Sequence, residues 1–322
     1  MPGHDIIVVG GSAGGIAALT QLVSDLPPDL PAAILVALHV PTISPSRLPE
    51  TLDRAGPLPA TYAHDGEAIQ PGHIYLAPPN QHLLIEAGSI RLVRGPRENG
   101  HRPAVDPLFR SAASTFGNRV VGVVLAGTTD DGTAGLLAVK TRGGRAVVQD
   151  PEETLFPDMP RNAMRYVAVD DVLPAAQIAP LLIRLASTPS KAEAGAVAMA
   201  VSNSDRGQRE ESWSLSCPEC RGPLREGQDG QLLRYHCRVG HAFSGESLLA
   251  EQSEALEEVL WSGLRGLEEK AELGHRLACQ AREQGYDLTA AYFDEQAQEA
   301  EQHSQLLREG PLKTARSTGK GS

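Results

Sequence analysis

The chain has 322 residues, 41% of them hydrophobic but only 4% aromatic, and a formal net charge of −11. That length accommodates two domains, or one large domain with an appendage, around an aliphatic core. The acidic balance argues against nucleic acid as the main partner, because neutralising phosphates requires a surplus of Lys and Arg.

The first residues lead into an apolar strand with no basic stretch and no small-residue cleavage site. The longest apolar runs, such as 34–38, fall far short of a bilayer's thickness. A soluble cytoplasmic protein without direct membrane insertion is expected. All four cysteines lie after residue 216, and with no secretion signal and no small secreted core, metal ligation is a better expectation than a disulfide framework.

From residue 5 to about 186 the pattern is strand, glycine turn, helix, repeated. Strands are expected at 5–9, 32–38, 73–77, 83–86, 120–125 and 146–149. Most are continuous apolar runs, as strands buried on both faces of a parallel sheet should be. Helices are expected at 15–26, 107–116 and 133–141, with Asp106-Pro107 read as an N-cap followed by proline at the first helical position. The runs 73–77 and 83–86, separated by Pro78-Pro79-Asn80, read as an antiparallel hairpin inserted in a doubly wound, mostly parallel α/β sheet.

The first strand ends in Gly10-Gly11-Ser12-Ala13-Gly14. This Gly-x-Ser-x-Gly spacing fits a nucleophile elbow, where glycines admit a sharp turn and leave the serine hydroxyl exposed above the sheet edge. The N–H groups just after Ser12 emerge from a helix N-terminus, where an oxyanion would be favoured. A phosphate-binding loop is the competing reading. However, Ser12 occupies the second glycine of the dinucleotide fingerprint, and His39, not an acid, closes the second strand. His39 and the aspartates Asp130 and Asp131 also lie at carboxyl ends of strands, where open α/β sheets bind ligands. Alone, either aspartate could be a helix N-cap. Together, serine, histidine and carboxylate have the chemistry of an acyl-transfer triad.

Residues 5–186 resemble the catalytic domain of the chemotaxis protein-glutamate methylesterase family, CheB. The likeness rests on the serine turn, Leu38-His39-Val40-Pro41, His64-Asp65-Gly66-Glu67, and Pro71-Gly72-His73-Ile74-Tyr75-Leu76-Ala77-Pro78. It continues through His101-Arg102-Pro103-Ala104-Val105-Asp106, Asp130-Asp131-Gly132-Thr133-Ala134-Gly135 and Met159-Pro160-Arg161. The resemblance implies Ser12 as nucleophile, His39 as general base and Asp131 as the orienting carboxylate, because the family's aspartate directly precedes the glycine. It implies no cofactor for catalysis, and an oxyanion hole made by the backbone N–H groups of Ala13 and Thr128. Where the family usually has Gly-Met-Gly, this chain has Gly127-Thr128-Thr129, and threonine at 129 lacks a glycine's freedom to take positive φ. The family's receiver domain is expected to be absent, and phosphorylation control in cis with it.

Residues 187–212 read as a Ser/Ala/Gly-rich linker. A module at 213–245 follows, with Cys217-x2-Cys220 and Cys237-x3-His241, a spacing suited to structural Zn²⁺. His236 competes with His241 as fourth ligand, and His241 is preferred because adjacent ligands strain the chelate. Residues 246–309 read as an α-helical hairpin, with helices at 247–280 and 288–308 and Gly285-Tyr286 at the turn. The first helix carries Leu249, Leu256, Val259, Leu260, Leu264 and Leu267 at helical spacing, and Cys279 as a small core residue. A polar, disordered tail is expected at 310–322. The tail region is similar to a zinc-ribbon-like segment with a helical hairpin appended to some stand-alone relatives of the methylesterase, a likeness that implies no function.

The expected reaction is hydrolysis of glutamate methyl esters on a methylated chemoreceptor or similar signalling protein, through an acyl-enzyme, with glutamine deamidation by the same attack. The alternatives are a catalytically weakened scaffold that recruits partners through its zinc and helical tail, and nucleotide binding at the glycine turn.

Overall fold

The computed structural model describes residues 3–39, 47–188 and 215–309. Its chain divides into two compact units, 1–248 and 249–322. The expected linker falls almost wholly outside the described residues, and the expected tail wholly so.

The first unit is built on a parallel sheet. Its strands are β1 (Ile6–Gly11), β2 (Ala33–Leu38), β3 (Ala60–Tyr62), β4 (Ile74–Leu76), β7 (Val120–Val124), β8 (Arg145–Gln149) and β9 (Asp171–Leu173), in the order β3-β4-β2-β1-β7-β8-β9. Every neighbouring pair is parallel. Both faces are covered, which is why these strands read as unbroken apolar runs. Ile7 and Val9 enter one core with α1 (Gly15–Ser24), α2 (Leu48–Ala55) and α6 (Ala175–Ser187). Ile6 and Val8 enter the other with α3 (Val105–Phe116), α4 (Thr133–Thr141) and α5 (Asp158–Tyr166). The chain leaves β1 toward β2 and later returns to its other side at β7. This reversal of strand order lies at the carboxyl ends of β1 and β7, the place where open α/β sheets bind ligands.

Two local expectations are corrected. The inserted hairpin pairs β5 (His82–Glu86) with β6 (Ser89–Val93) as a separate two-stranded sheet, and the run at 73–77 supplies β4 of the parallel sheet. Asp106 is not the N-cap of α3. Ala104 holds that place, and Asp106 is fully buried in the first turn with its carboxylate turned toward α4.

The Cys/His module is a three-stranded antiparallel sheet, β10 (Leu224–Asp229), β11 (Leu232–Cys237) and β12 (Ala242–Ser244), around Cys217, Leu224, Cys237, Phe243 and Leu248. It falls in the same unit as the parallel sheet. A bridge between Glu98 and Ala242, with the Asn99 N–H donating to the Ala242 carbonyl at 2.7 Å, joins β12 to the loop before α3.

The second unit holds most of α7 (Gly245–Glu283) and all of α8 (Asp287–Glu309), with Gly285 at φ 78° in the turn. Their contact is made by small residues. Ala271, Gly274, Ala278 and Ala281 face Ala290, Ala297 and Ala300, and a Cβ on Gly274 would lie 3.0 Å from that of Ala297. Leu249, Leu256 and Val259 are exposed and Leu264 is buried, while Cys279, expected in the core, is exposed.

Candidate active site

Ser12 follows β1 directly. Its N–H donates to the Ala126 carbonyl at 2.9 Å and its carbonyl accepts from the Gly15 N–H at 2.9 Å, so the serine is fixed from both sides. The glycines around it do different jobs. Gly14 makes the turn, with φ 79°. Gly10 instead clears space for the start of α3, since a Cβ there would sit 2.2 Å from Val105 Cγ1. Gly127, after β7, backs onto the serine, and a side chain there would come within 2.8 Å of Ser12 Cβ. Among the described residues, neither the Ala13 nor the Thr128 N–H finds a protein acceptor.

His39 follows β2, and its ring is nearly enclosed. Nε2 donates to Asp131 Oδ2 at 2.8 Å, which leaves Nδ1 buried without a protein partner. The His101 ring stacks on His39, with centroids 3.6 Å apart and planes 17° apart. Burial, reinforced by the adjoining His39, pulls His101 down to about 4, so it is neutral near pH 7.

Asp131 is fully buried. Oδ2 also accepts from the Val105 N–H at 2.6 Å, and Oδ1 accepts from Asn99 Nδ2 at 2.8 Å and the Gly132 N–H at 3.0 Å. Burial alone would raise its pKa. The hydrogen bond and charge of His39, with His101 and the Val105 N–H, outweigh burial and hold the carboxyl well below the usual range. The structure thus brings His39 and Asp131 together, with Ser12 at the adjacent strand end.

Asp130 is buried as well. It is 3% exposed, and its Oδ1 accepts from the hydroxyls of Ser244 and Ser247, both at 2.6 Å, from the Cys/His module and the first turn of α7. Burial pushes it up to about 6 against those two hydrogen bonds. It is not an N-cap, for Gly132 occupies that position on α4. Thr129 does adopt the left-handed conformation, φ 66°, that a glycine would take at no cost. The loop holding it is braced by α5, where Asn162 Nδ2 donates to the Thr129 carbonyl at 3.0 Å.

Cys217, Cys220, Cys237 and His241 place one ligand atom each within 4.8 Å of one another. Cys220 Sγ and Cys237 Sγ are 3.6 Å apart, and His241 Nδ1 lies 3.4 Å from Cys237 Sγ. Tetrahedral Zn–S bonds of about 2.3 Å require spacings of this order. The His241 N–H donates to Cys237 Sγ at 3.3 Å, the support a thiolate ligand needs. His236 is not part of the cluster.

Several contributors escaped sequence reasoning: Asn99, Asp106, His101, Arg234, Ser244 and Ser247. His101 and Asp106 lie inside a motif already singled out. For Arg234 the available signal was a charged residue in register with buried Leu232 on an alternating strand.

The CheB methylesterase family profile matches residues 7–182. A protein-glutamate methylesterase/protein-glutamine glutaminase 5 of Anaeromyxobacter dehalogenans is 40% identical over 184 residues, covering 56% of this chain and 51% of that protein. A putative enzyme of the same name from Leptospira interrogans is 38% identical over 183 residues, 56% of this chain and 95% of the relative. The crystal structure of the Thermotoga maritima CheB methylesterase catalytic domain is 34% identical with a TM-score of 0.54, covering 56% of this chain and 98% of that one. The chain spans about half the length of most of the curated relatives it matches. No described helix is long and apolar enough to cross a membrane.

Proposed function

This chain belongs to the CheB methylesterase family, and we propose that it is a serine hydrolase that cleaves glutamate methyl esters on a chemoreceptor-like protein, and deamidates glutamine by the same attack. The observation that carries this reading is the buried 2.8 Å pair between His39 Nε2 and Asp131 Oδ2, at strand ends flanking Ser12. Because Asp131 occupies Nε2, the nitrogen left to take the serine proton is Nδ1, the buried atom without a protein partner.

In the first step Ser12 Oγ attacks the γ-carbonyl carbon while its proton passes to His39 Nδ1. The oxyanion is held by the N–H groups of Ala13 and Thr128. Asp131 stays ionised and stabilises the imidazolium. Collapse of the tetrahedral intermediate breaks the ester C–O bond, and the imidazolium protonates the departing methoxide to methanol. Water then attacks the acyl-enzyme by the reverse choreography, releasing glutamate. With glutamine the leaving group is ammonia. His101, neutral and flat against His39, excludes water from the base without adding a charge that would oppose its protonation.

Cys217, Cys220, Cys237 and His241 would hold a structural Zn²⁺, which supplies folding energy and takes no part in the reaction.

The test is methanol release from methylated receptor. Ser12→Ala should lower the rate by ~10⁴-fold or more, and full activity in that variant would end the hydrolase reading.

A further inference from the structure

Arg234 stands in β11 of the Cys/His module, yet its guanidinium is aimed at the back of the triad, with the side chain 3% exposed. It donates to Asp106 Oδ2 at 3.0 Å and to Asn99 Oδ1 and Glu98 Oε2 at 3.4 Å each. Asn99 is the link onward. Its Nδ2 donates to Asp106 Oδ2 at 3.1 Å and to Asp131 Oδ1 at 2.8 Å. One amide therefore separates the guanidinium from the carboxylate that holds His39.

The module also decides which way that amide faces. Asn99 Oδ1 accepts from the Ser244 backbone N–H at 3.0 Å as well as from Arg234. With its oxygen engaged by donors from the module, Asn99 must turn its two amide hydrogens toward the aspartates. Asp106 needs a cation beside it. Burial and the neighbouring Asp131 raise its pKa, and Arg234 leads the groups that pull it down. Were Asp106 to take up a proton, it would become a donor facing the Asn99 amide, and the bond from Asn99 to Asp131 would be lost or redirected. Asp106 also accepts from the N–H groups of Gly132 and Gly135, at 3.0 and 2.7 Å, so its displacement would shift the loop that carries Asp131.

We propose that Arg234, together with the Ser244 backbone N–H, is a positioning residue for catalysis: by fixing the Asn99 amide and Asp106 it sets the orientation of Asp131, and so of His39. This role rests on the hydrolase reading above. It makes the Cys/His module part of the active site's support, although the module touches none of the three triad side chains through Arg234 itself.

The test uses the full chain and two readouts that need no natural substrate. One is the rate at which a fluorophosphonate phosphonylates Ser12, with loss of fluoride. The other is the downfield proton resonance of the His39 Nε2–H shared with Asp131. Arg234→Met should label ~10–100-fold more slowly, the usual effect of losing a supporting hydrogen-bond partner, with the resonance displaced or lost in protein that still melts cooperatively. Arg234→Lys keeps a charge beside Asp106 but cannot span Asn99 and Glu98 as well. It should label several-fold more slowly, with a displaced resonance. Folded Arg234→Met with the wild-type rate and an unmoved resonance overturns the proposal, as does slow labelling that merely tracks an unfolded fraction. Should Arg234→Met fail to fold, Arg234→Lys decides, and wild-type behaviour on both readouts overturns it. A wild-type protein that does not label refutes the hydrolase reading, while the resonance still reports whether Arg234 orients the His39–Asp131 pair.

Discussion

Around the parallel sheet, two aliphatic clusters enclose alternate residues of every central strand, and each fully buried Val, Leu or Ile contributes ~1.5–3 kcal/mol. The Cys/His module has a core of only five buried residues, two of them cysteines. Ordering a segment of that size costs ~1.5 kcal/mol per residue, which such a core cannot offset. Two other sources are open to the module: the metal proposed for the Cys/His cluster, and polar contacts with the sheet domain through Arg234, Ser244 and, from the first turn of α7, Ser247. Because those contacts end on Asp106, Asn99 and Asp130, the module's weakness is the triad's concern. A self-sufficient core tolerates an appendage, whereas this arrangement ties the Asp130-Asp131 loop to one.

The strongest way to break that comparison is to remove the metal. Purified protein should contain one zinc per chain by elemental analysis, and Cys217→Ser combined with Cys220→Ser should abolish it. If the module then loosens, Arg234 and Ser244 leave their partners, and fluorophosphonate labelling of Ser12 should fall ~10–100-fold. The sheet domain should keep its cooperative melt. Metal-free protein that labels at the wild-type rate would show that the two regions are energetically separate after all.

Asp130 sharpens the comparison from the other side of the contact. Its carboxyl is raised from 3.8 to about 6 in the folded protein, mainly by burial. A group raised in this way contributes stability below its unfolded pKa and loses it as pH rises through the folded value. The native state should therefore weaken between about pH 4 and pH 6 through this residue. Asp130→Asn, neutral throughout and still able to accept from Ser244 and Ser247, should flatten that slope. At about pH 8 it should be more stable than wild type by roughly 3 kcal/mol. Urea midpoints at several pH values would measure it, and an unchanged slope would mean that the two serine hydroxyls fully compensate for burial. Labelling of Ser12 should stay near the wild-type rate, since Asp130 does not touch His39.

The parallel sheet and the pairing of His39 with Asp131 were legible because each rests on local signals repeated along the chain. Apolar runs lead directly into Ser12 and His39 and, through a short loop, into Asp131, and strand ends in such a sheet converge without further information. The Cys/His cluster was legible for the same reason, since ligand spacing is local. What the sequence concealed is contact between distant segments. Nothing near Asp130 announces Ser244 and Ser247, more than a hundred residues away, so it read as a candidate helix cap beside Asp131. Asp106 before Pro107 matched a helix-capping pattern, but its carboxylate is taken by Arg234, Asn99 and the start of α4. In the helical hairpin the leucine period was conspicuous, yet the helices meet through alanine and Gly274, because small residues allow the closer approach.

The smallest expected effect concerns Thr129, in the Gly127-Thr128-Thr129 loop. Thr129 holds φ 66°, a conformation that is costly for a β-branched residue, and its hydroxyl is buried without a hydrogen-bond partner. The strain persists because neighbours over-determine the loop: Asn162 grips the Thr129 carbonyl, and the Asp130 carbonyl accepts from the Thr133 N–H at 3.1 Å. Thr129→Gly removes strain and an orphaned hydroxyl but gives the unfolded chain more freedom, an opposing cost of about 1 kcal/mol. Strain and hydroxyl together are worth more than that, so the variant should gain about 1 kcal/mol. A urea titration at fixed pH would read this as a higher midpoint with an unchanged slope. Labelling of Ser12 should change less than it does on loss of Arg234, because the Thr128 N–H is already placed by the loop that Asn162 braces. A destabilised Thr129→Gly would mean that the threonine methyl packs well enough to outweigh the strain in its backbone.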